Sequence, residues 1–438
     1  MKKIIKYIRI LPVVLCCLLC GCAAESILDD VVRDYKVSEA SVGEEYGEST
    51  SSKQSQATEV DSHTTTSGDG NGEDESGTAE NDDTQREPEE CFLSADAYEY
   101  ARQYLNENEL LWYQDISLGL GTLGKDIELD RKGIEAGLAE ADIDRIFQCV
   151  LNDHPELFYV DGYSYTKYTR GDKLVSIKFS GSYIADEETV GERLARIDSA
   201  ANEILAGISG DADQYTKVKY IYDTIIRNTE YDLSASDNQN IYSVFINRRS
   251  VCQGYAKAVQ FLLNRLGMES TLVLGTVDTG EGHAWNLVKI DGSYYYLDAT
   301  WGDASYKIDS NSAQGQQSMP EINYDYLNVT TEELLKTHTI DNCVPMPACV
   351  SRDANYYYRE GAYFTAYDRN QVQALIEKAR SQGRTDVTIK CSDEECYGEV
   401  INRLIEQQEI FDFLDSGNSI AYAQNNKQLS LTFWMTNG

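Results

Sequence analysis

The sequence predicts an α+β protein. Segments with helical apolar spacing alternate with β-branched and aromatic runs, and no regular repeat links them. Tight-turn signals, Arg170-Gly171-Asp172 and Asp291-Gly292, separate runs that can pair as hairpins. Apolar residues make up 42% and charged residues 25% of the 438, an ordinary balance for a packed core. At about 150 residues per domain the chain holds two or three.

Composition narrows the function classes. The 38 basic and 73 acidic residues leave a net charge of −35. Such a chain repels phosphate backbones, so no nucleic-acid partner is expected. Collagen-like and multi-spanning membrane classes are excluded as well. The four histidines are His63, His154, His283 and His338, so imidazole chemistry has few candidates.

The first 22 residues read as an address. Lys2, Lys3, Lys6 and Arg9 precede an apolar run over 10–20, the charge and length pattern of a signal peptide. Leu19-Cys20-Gly21-Cys22 resembles a bacterial lipobox. That resemblance implies lipid on Cys22 and a chain anchored to the membrane outside the cytoplasm. An uncleaved anchor helix is the alternative. Residues 23–90 read as a disordered acidic tether. Between Ser41 and Glu90, fifteen acidic residues face two basic ones, with few large apolar side chains to offset ordering entropy. His63 falls in this tether. Beyond the leader and Cys22, seven cysteines remain: Cys91, Cys149, Cys252, Cys343, Cys349, Cys391 and Cys396. Seven is odd, so at least one thiol stays unpaired if the others are bridged. Cys343/Cys349 and Cys391/Cys396 are near enough in sequence to bridge, but spacing alone does not choose.

The folded part divides into an N-terminal α+β region (91–210), a central core (211–330) and a C-terminal α+β region (331–438). In the first, helices are expected over 95–111, 140–151 and 190–208, with a hairpin of 157–168 and 173–183. His154, in Asp153-His154-Pro155, suits a turn ending a helix. In the last, helices are expected over 371–380 and 395–414, and strands over 387–391, 419–423 and 428–434.

The chemistry concentrates between about 215 and 306. A helix over 216–227 leads to Ser250-Val251-Cys252-Gln253-Gly254-Tyr255-Ala256, which opens a second helix ending at Gly267. Ser250 with Gln253 is a capping-box pattern, and Gly267 suits the left-handed position after a helix end. Cys252 then lies in the first turn, where the helix dipole and free N–H groups favour a thiolate and a developing oxyanion. Strands are expected over 271–277, 283–290 and 293–300, the last two joined at Asp291-Gly292. Counting outward from that turn pairs His283 with Thr300 and Trp285 with Asp298, so His283 and Asp298 are diagonal neighbours. Cys252 as nucleophile, His283 as base and Asp298 as orienting carboxylate are the parts of a nucleophilic cysteine site. A zinc site from the same three residues is the chemical alternative.

The blocks Arg249-Ser250-Val251-Cys252-Gln253-Gly254-Tyr255-Ala256, His283-Ala284-Trp285-Asn286 and Leu297-Asp298-Ala299-Thr300-Trp301 resemble those of the bacterial transglutaminase-like domain. The resemblance spans roughly 100 residues. It implies a papain-like core, with the cysteine helix packed on an antiparallel sheet, and a Cys252-His283-Asp298 triad. It also implies thiol acyl transfer at amide bonds of proteins or peptides at the cell envelope. Family members include transglutaminases, peptidases, amidases and inactive proteins, so cross-linking, hydrolysis, deamidation and silent binding all stay open. The family places an extra oxyanion or positioning group upstream of the cysteine, and Tyr231 is the nearest candidate. No cofactor is implied, and no calcium-ligand pattern is evident.

Overall fold

A computed structural model describes residues 2–9, 59–60, 91–303, 321–414 and 419–436. The fold is α+β. The lipobox-like Leu19-Cys20-Gly21-Cys22 and nearly all of the segment expected to be an acidic tether lie outside the described residues. Among those described, no helix is long and apolar enough to cross a membrane. The described cysteines, Cys91, Cys149, Cys252, Cys343, Cys349, Cys391 and Cys396, are all free thiols. The chain divides into two compact units, and the second contains residues 193–438.

The first unit is built on the expected hairpin, Val160–Arg170 with Lys173–Tyr183. Gly171 supplies the positive φ of +59° that its turn requires. The basic segment Lys2–Arg9 lies antiparallel along Val160–Arg170 as a further strand. Helices Glu107–Gly121 and Glu140–Asp153 bury Trp112, Tyr113, Ile143, Ile146 and Phe147. The helix expected over 95–111 is displaced toward the C-terminus. Asn106 accepts from Asn108 N and Glu109 N while Glu109 returns a bond to Asn106 N, and this capping box starts the helix at Glu107. His154 caps the end of Glu140–Asp153, as expected, with Nδ1 2.9 Å from Glu156 Oε1.

The second unit carries the core. Helix α1 (Gln214–Asn228) is capped by Asp213 and buries Val218, Ile221, Tyr222 and Ile225. Helix α2 (Cys252–Arg265) is buried along most of its length and ends at Gly267, whose φ is +69°. Strands β1 (Ser270–Val277), β2 (Gly282–Ile290) and β3 (Ser293–Leu297) are followed by one turn of helix, α3 (Ala299–Gly302). A short strand, β4 (His338–Ile340), completes an antiparallel sheet in the order β3-β2-β1-β4. The Asp291-Gly292 hairpin pairs Ile290 with Ser293, as the turn signal predicts. Pairing stops at Leu297 with Asn286, however, so the expected partnership of His283 with Thr300 does not form. Asp298 ends the strand because its carboxylate caps α3, accepting from Thr300 N and Trp301 N.

The register across β1 positions two histidines. His283 on β2 lies opposite Gly275, and His338 on β4 lies opposite Val277. Residues two apart on a strand share a face, so both imidazoles project from the same side of the sheet. Gly275 makes the close approach possible. A Cβ there would sit 1.9 Å from the Thr339 carbonyl oxygen and 2.6 Å from Trp285 Cη2.

A second sheet follows: β5 (Tyr363–Phe364), β6 (Asp386–Cys391), β7 (Ser419–Asn425) and β8 (Ser430–Thr436), ordered β5-β6-β8-β7. Helices α4 (Arg369–Ser381) and α5 (Glu394–Ile401) cover it, burying Phe364, Val372, Ile389, Val400 and Leu431 in one cluster. The single helix expected over 395–414 is broken into α5, a π turn (Asn402–Glu406) and a 3₁₀ turn (Glu409–Phe413). Gln408 between the turns takes a left-handed φ of +58°, which interrupts the helical path.

Candidate active site

Cys252 is the first residue of α2 and is 2% exposed. The expected capping box is absent. The N-cap is Val251, with no side-chain cap, and Ser250 is engaged elsewhere: its hydroxyl donates to Asn238 O at 2.7 Å and lies 2.7 Å from Ser243 Oγ. The first helical bonds are made by Gly254 N and Tyr255 N, both to Val251 O. The N–H groups of Cys252 and Gln253 therefore precede the intrahelical ladder and have no acceptor within it. Gly254 is required by the same packing, since a Cβ there would lie 1.9 Å from Ser250 Oγ.

Asn286 fastens this helix to the strand that bears the histidine. It is fully buried, and its amide donates to Ala256 O at 2.9 Å. Cys252, Ala256, Leu272 and Ala284 pack as a small apolar cluster between α2 and the sheet. The Cys252 sulfur lies near enough to the His283 ring to bear on its charge. Its Nε2–H donates to Asp298 Oδ2 at 2.7 Å. Asp298 is fully buried and accepts with its other oxygen from Thr300 N at 2.9 Å and Trp301 N at 3.1 Å. The structure thus brings Cys252, His283 and Asp298 together in one chain of contacts.

Tyr231 is tied to the same region by backbone. Glu230–Tyr231 pairs in parallel with Arg249–Ser250, and the Tyr231 ring lies 6.3 Å from that of Tyr255 on α2. It stands beside the segment leading into the cysteine.

Reading the sequence did not assign a role to His338. Its Nε2 lies 3.2 Å from the same Asp298 oxygen that His283 uses. Forty residues separate the two partners, and a three-residue strand carries no periodic signal. The scarcity of histidine was the available signal. Of the four, His338 alone lies in no local sequence pattern that suggests a role.

Electrostatics follow from burial. Desolvation pushes the His283 pKa down, but the charge and hydrogen bond of Asp298, with the nearby Cys252 sulfur, more than offset it and hold it at about 10. Desolvation raises Asp298, and the His283 charge and bonds from both imidazoles outweigh it, so its carboxyl stays well below the usual range. Burial lowers His338, which keeps that ring neutral. These signs set a stability profile. His283 contributes fully below its unfolded value of about 6.5, and the contribution is lost as pH rises through about 10. Asp298 contributes above its unfolded value of about 4, and loses its contribution as pH falls further. The stability advantage of the wild type over His283→Gln should therefore be greatest between about pH 4 and 6.5 and shrink toward pH 10. Denaturant midpoints at about pH 5.5 and about pH 10 check this, and an advantage growing with pH would contradict the pairing.

Donor atoms of His283, Asp298 and His338 all lie within 4.8 Å of one another. His338 thus replaces Cys252 in the metal-capable set that the sequence suggested. Zinc accepts such donors. The 2.7 Å between His283 Nε2 and Asp298 Oδ2 is nevertheless short. Two ligands on a tetrahedral zinc, with bonds of about 2.0–2.1 Å, stand about 3.3 Å apart. The spacing is that of hydrogen bonds converging on one carboxylate.

Residues 200–299 match the family model of the transglutaminase-like superfamily. The chain carries a transglutaminase-like domain. A segment of 123 residues is 24% identical to kyphoscoliosis peptidase of Mus musculus, covering 24% of this chain and 19% of that protein. The chain thus spans about a fifth of that relative's length. A solved TGase is 17% identical, covering 36% of this chain and 48% of its own, with a TM-score of 0.25. The periplasmic domain of TgpA from Pseudomonas aeruginosa is 14% identical, covering 33% of this chain and 73% of its own, with a TM-score of 0.19. These structural scores are low, and the likeness rests on the sequence match over residues 200–299. The transglutaminase-like match ends one residue after Asp298, so it spans all three residues of the contact chain and stops before His338.

Proposed function

We propose that the chain is a thiol acyl-transfer enzyme acting on amide bonds of proteins or peptides, with Cys252 as nucleophile, His283 as proton carrier and Asp298 as the carboxylate that orients it. The observation that carries this reading is the convergence of Cys252 and Asp298 on one buried imidazole. His283, whose imidazolium the Asp298 carboxylate favours, holds the proton that Cys252 gives up, and the thiolate sulfur bonds to the amide carbon. The carbonyl becomes an oxyanion, for which the free N–H groups at the start of α2 are the donors and Tyr231 is a further candidate. Collapse breaks the C–N bond as His283 protonates the departing amine, leaving a thioester. Water or an amine then attacks that carbon, giving its proton to His283, and the thiol is released with the proton returned. Enclosure of the sulfur supports this chemistry by keeping bulk water from the thiolate. The lipobox-like Leu19-Cys20-Gly21-Cys22 supports an enzyme held by lipid on Cys22 at the outer face of the membrane, with envelope proteins or peptides as substrates.

The test is peptide-resolved alkylation with iodoacetamide, a reagent small enough for an enclosed thiol. Exposed Cys91 serves as the ordinary thiol within the same molecule. Cys252 is expected to react faster than Cys91 near neutral pH, and His283→Ala to abolish the difference. Incubation with envelope proteins and a labelled primary amine then distinguishes the fates. Incorporated label means transfer, new termini mean proteolysis, and glutamine-to-glutamate mass changes mean deamidation. If Cys252 reacts no faster than Cys91 and none of these products depends on it, the proposal fails.

A further inference from the structure

We propose that His338 is a positioning residue for the thiol–imidazole pair, and that it links Asp298 through a buried hydrogen-bond chain to the C-terminal sheet. The inference rests on the reaction proposed above and adds a fourth side chain, with its support, to the site.

The tautomer of His338 follows from its partners. An ionised carboxylate only accepts, so the nitrogen facing Asp298 Oδ2 at 3.2 Å carries the hydrogen. Nδ1 must then accept, and Thr337 Oγ1–H, 2.9 Å away, donates to it. Tyr326 O–H donates in turn to Thr337 Oγ1 at 3.1 Å. Gln428 Nε2–H donates to the Tyr326 oxygen at 3.2 Å and to Glu333 O at 3.3 Å. Lys390 of β6 donates to Gln428 Oε1 at 3.0 Å. His338, Tyr326, Thr337, Gln428 and Lys390 are each under 5% exposed, so water does not compete for these bonds. Aromatic walls hold the ring from three sides: Trp285 at 4.9 Å, Trp301 at 4.8 Å and Tyr326 at 5.4 Å between centroids.

The arrangement leaves Asp298 little freedom. One oxygen is pinned by Thr300 N and Trp301 N, and the other is shared between two imidazole N–H groups. With His338 in place the carboxylate plane is set independently of His283, so it can orient that ring. The second donor also favours the ionised carboxylate in a site without water. Titratable groups facing Asp298 are His283 from β2, His338 from β4, Tyr222 from α1 and Tyr326 from the segment before β4. Cys252 on α2 is reached through His283. Burial raises both tyrosines, which stay neutral.

Two variants separate positioning from packing. His338→Leu fills the space but removes the donor, whereas His338→Gln keeps an N–H donor at similar reach. Cys252 alkylation is measured from pH 4 to 9 with Cys91 as the internal reference, alongside thermal melting of each variant. His338→Leu is expected to slow Cys252 about 10- to 100-fold, the range for losing a hydrogen bond to a charged group. It should also move the acid limb upward, because Asp298 loses a donor that favours its ionised form. His338→Gln should recover most of the rate and return the limb toward the wild-type position. Gln428→Leu, at the far end of the chain, should shift the same limb by a smaller amount.

An unchanged acid limb in His338→Leu, with a lower melting temperature only, would make His338 a packing residue and overturn the proposal. A cobalt(II) titration giving tetrahedral d–d absorption that His338→Gln abolishes would overturn it in favour of a metal site. Failure of the underlying reading is distinguishable, since wild-type Cys252 would then react no faster than Cys91.

Discussion

Asp298→Asn should lower the rate of Cys252 acylation by about ten-thousand-fold in a chain that still folds, at reduced stability. The amide oxygen can still accept from Thr300 N and Trp301 N, and asparagine caps helices about as well as aspartate. What changes is the atom facing the imidazoles. An NH₂ group there meets two ring nitrogens that both carry hydrogen, at 2.7 Å and 3.2 Å in the wild type. His283 escapes the clash by moving its proton to Nδ1, the nitrogen that must accept from Cys252. The thiol then faces a donor and its proton has no destination. Single-turnover acylation by an activated ester, with a melting curve of the same sample, checks the result. A loss of less than tenfold in a folded variant would remove Asp298 from the mechanism.

Gly275→Val should destabilise the second unit by about 3 kcal/mol, the upper end of what overpacking costs. The added Cβ alone would fall 1.9 Å from a backbone oxygen of Thr339, which cannot swing aside as a side chain can. Relief requires β4 to separate from β1, and β4 begins with His338. The substitution should therefore act twice. The melting temperature falls, and at temperatures where the chain is still folded Cys252 loses reactivity as His338→Leu does. Gly275→Ala should show the same pair of effects in weaker form. A valine variant that melts within a degree of the wild type would show that β4 does not pack as described.

The parts of the site legible in the sequence were those written locally. Cys252 at a helix start, His283 at a strand start and the Asp291-Gly292 turn depend on neighbours a few residues away, and those dependencies survive in the fold. The parts misread turned on distant partners. Ser250 and Gln253 match a capping box in spacing, yet Ser250 is taken by Asn238 and Ser243 from earlier in the chain. The return strand was expected to reach Thr300, but Asp298 serves as helix cap and hydrogen-bond acceptor at once, and both roles need it outside the ladder. His338 could not be placed because its strand is three residues long and its register is decided by β1, sixty residues earlier. The α+β class needed only the local pattern, since element type follows period, whereas the meeting of His283 and His338 depends on how strands order in space.

The buried path from Gln428 to Asp298 bears on how far this domain can be treated as a portable cassette. The family match stops at residue 299, the first residue of the capped helical turn, and before the second imidazole and every link that supports it. A chimaera spliced at that boundary would carry Cys252, His283 and Asp298, yet import none of the buried chain that runs from His338 to Gln428. Transplanting the chemistry into another host should require the chain through β8, and natural recombination at residue 299 should yield proteins that keep Cys252, His283 and Asp298 but show no accelerated thiol.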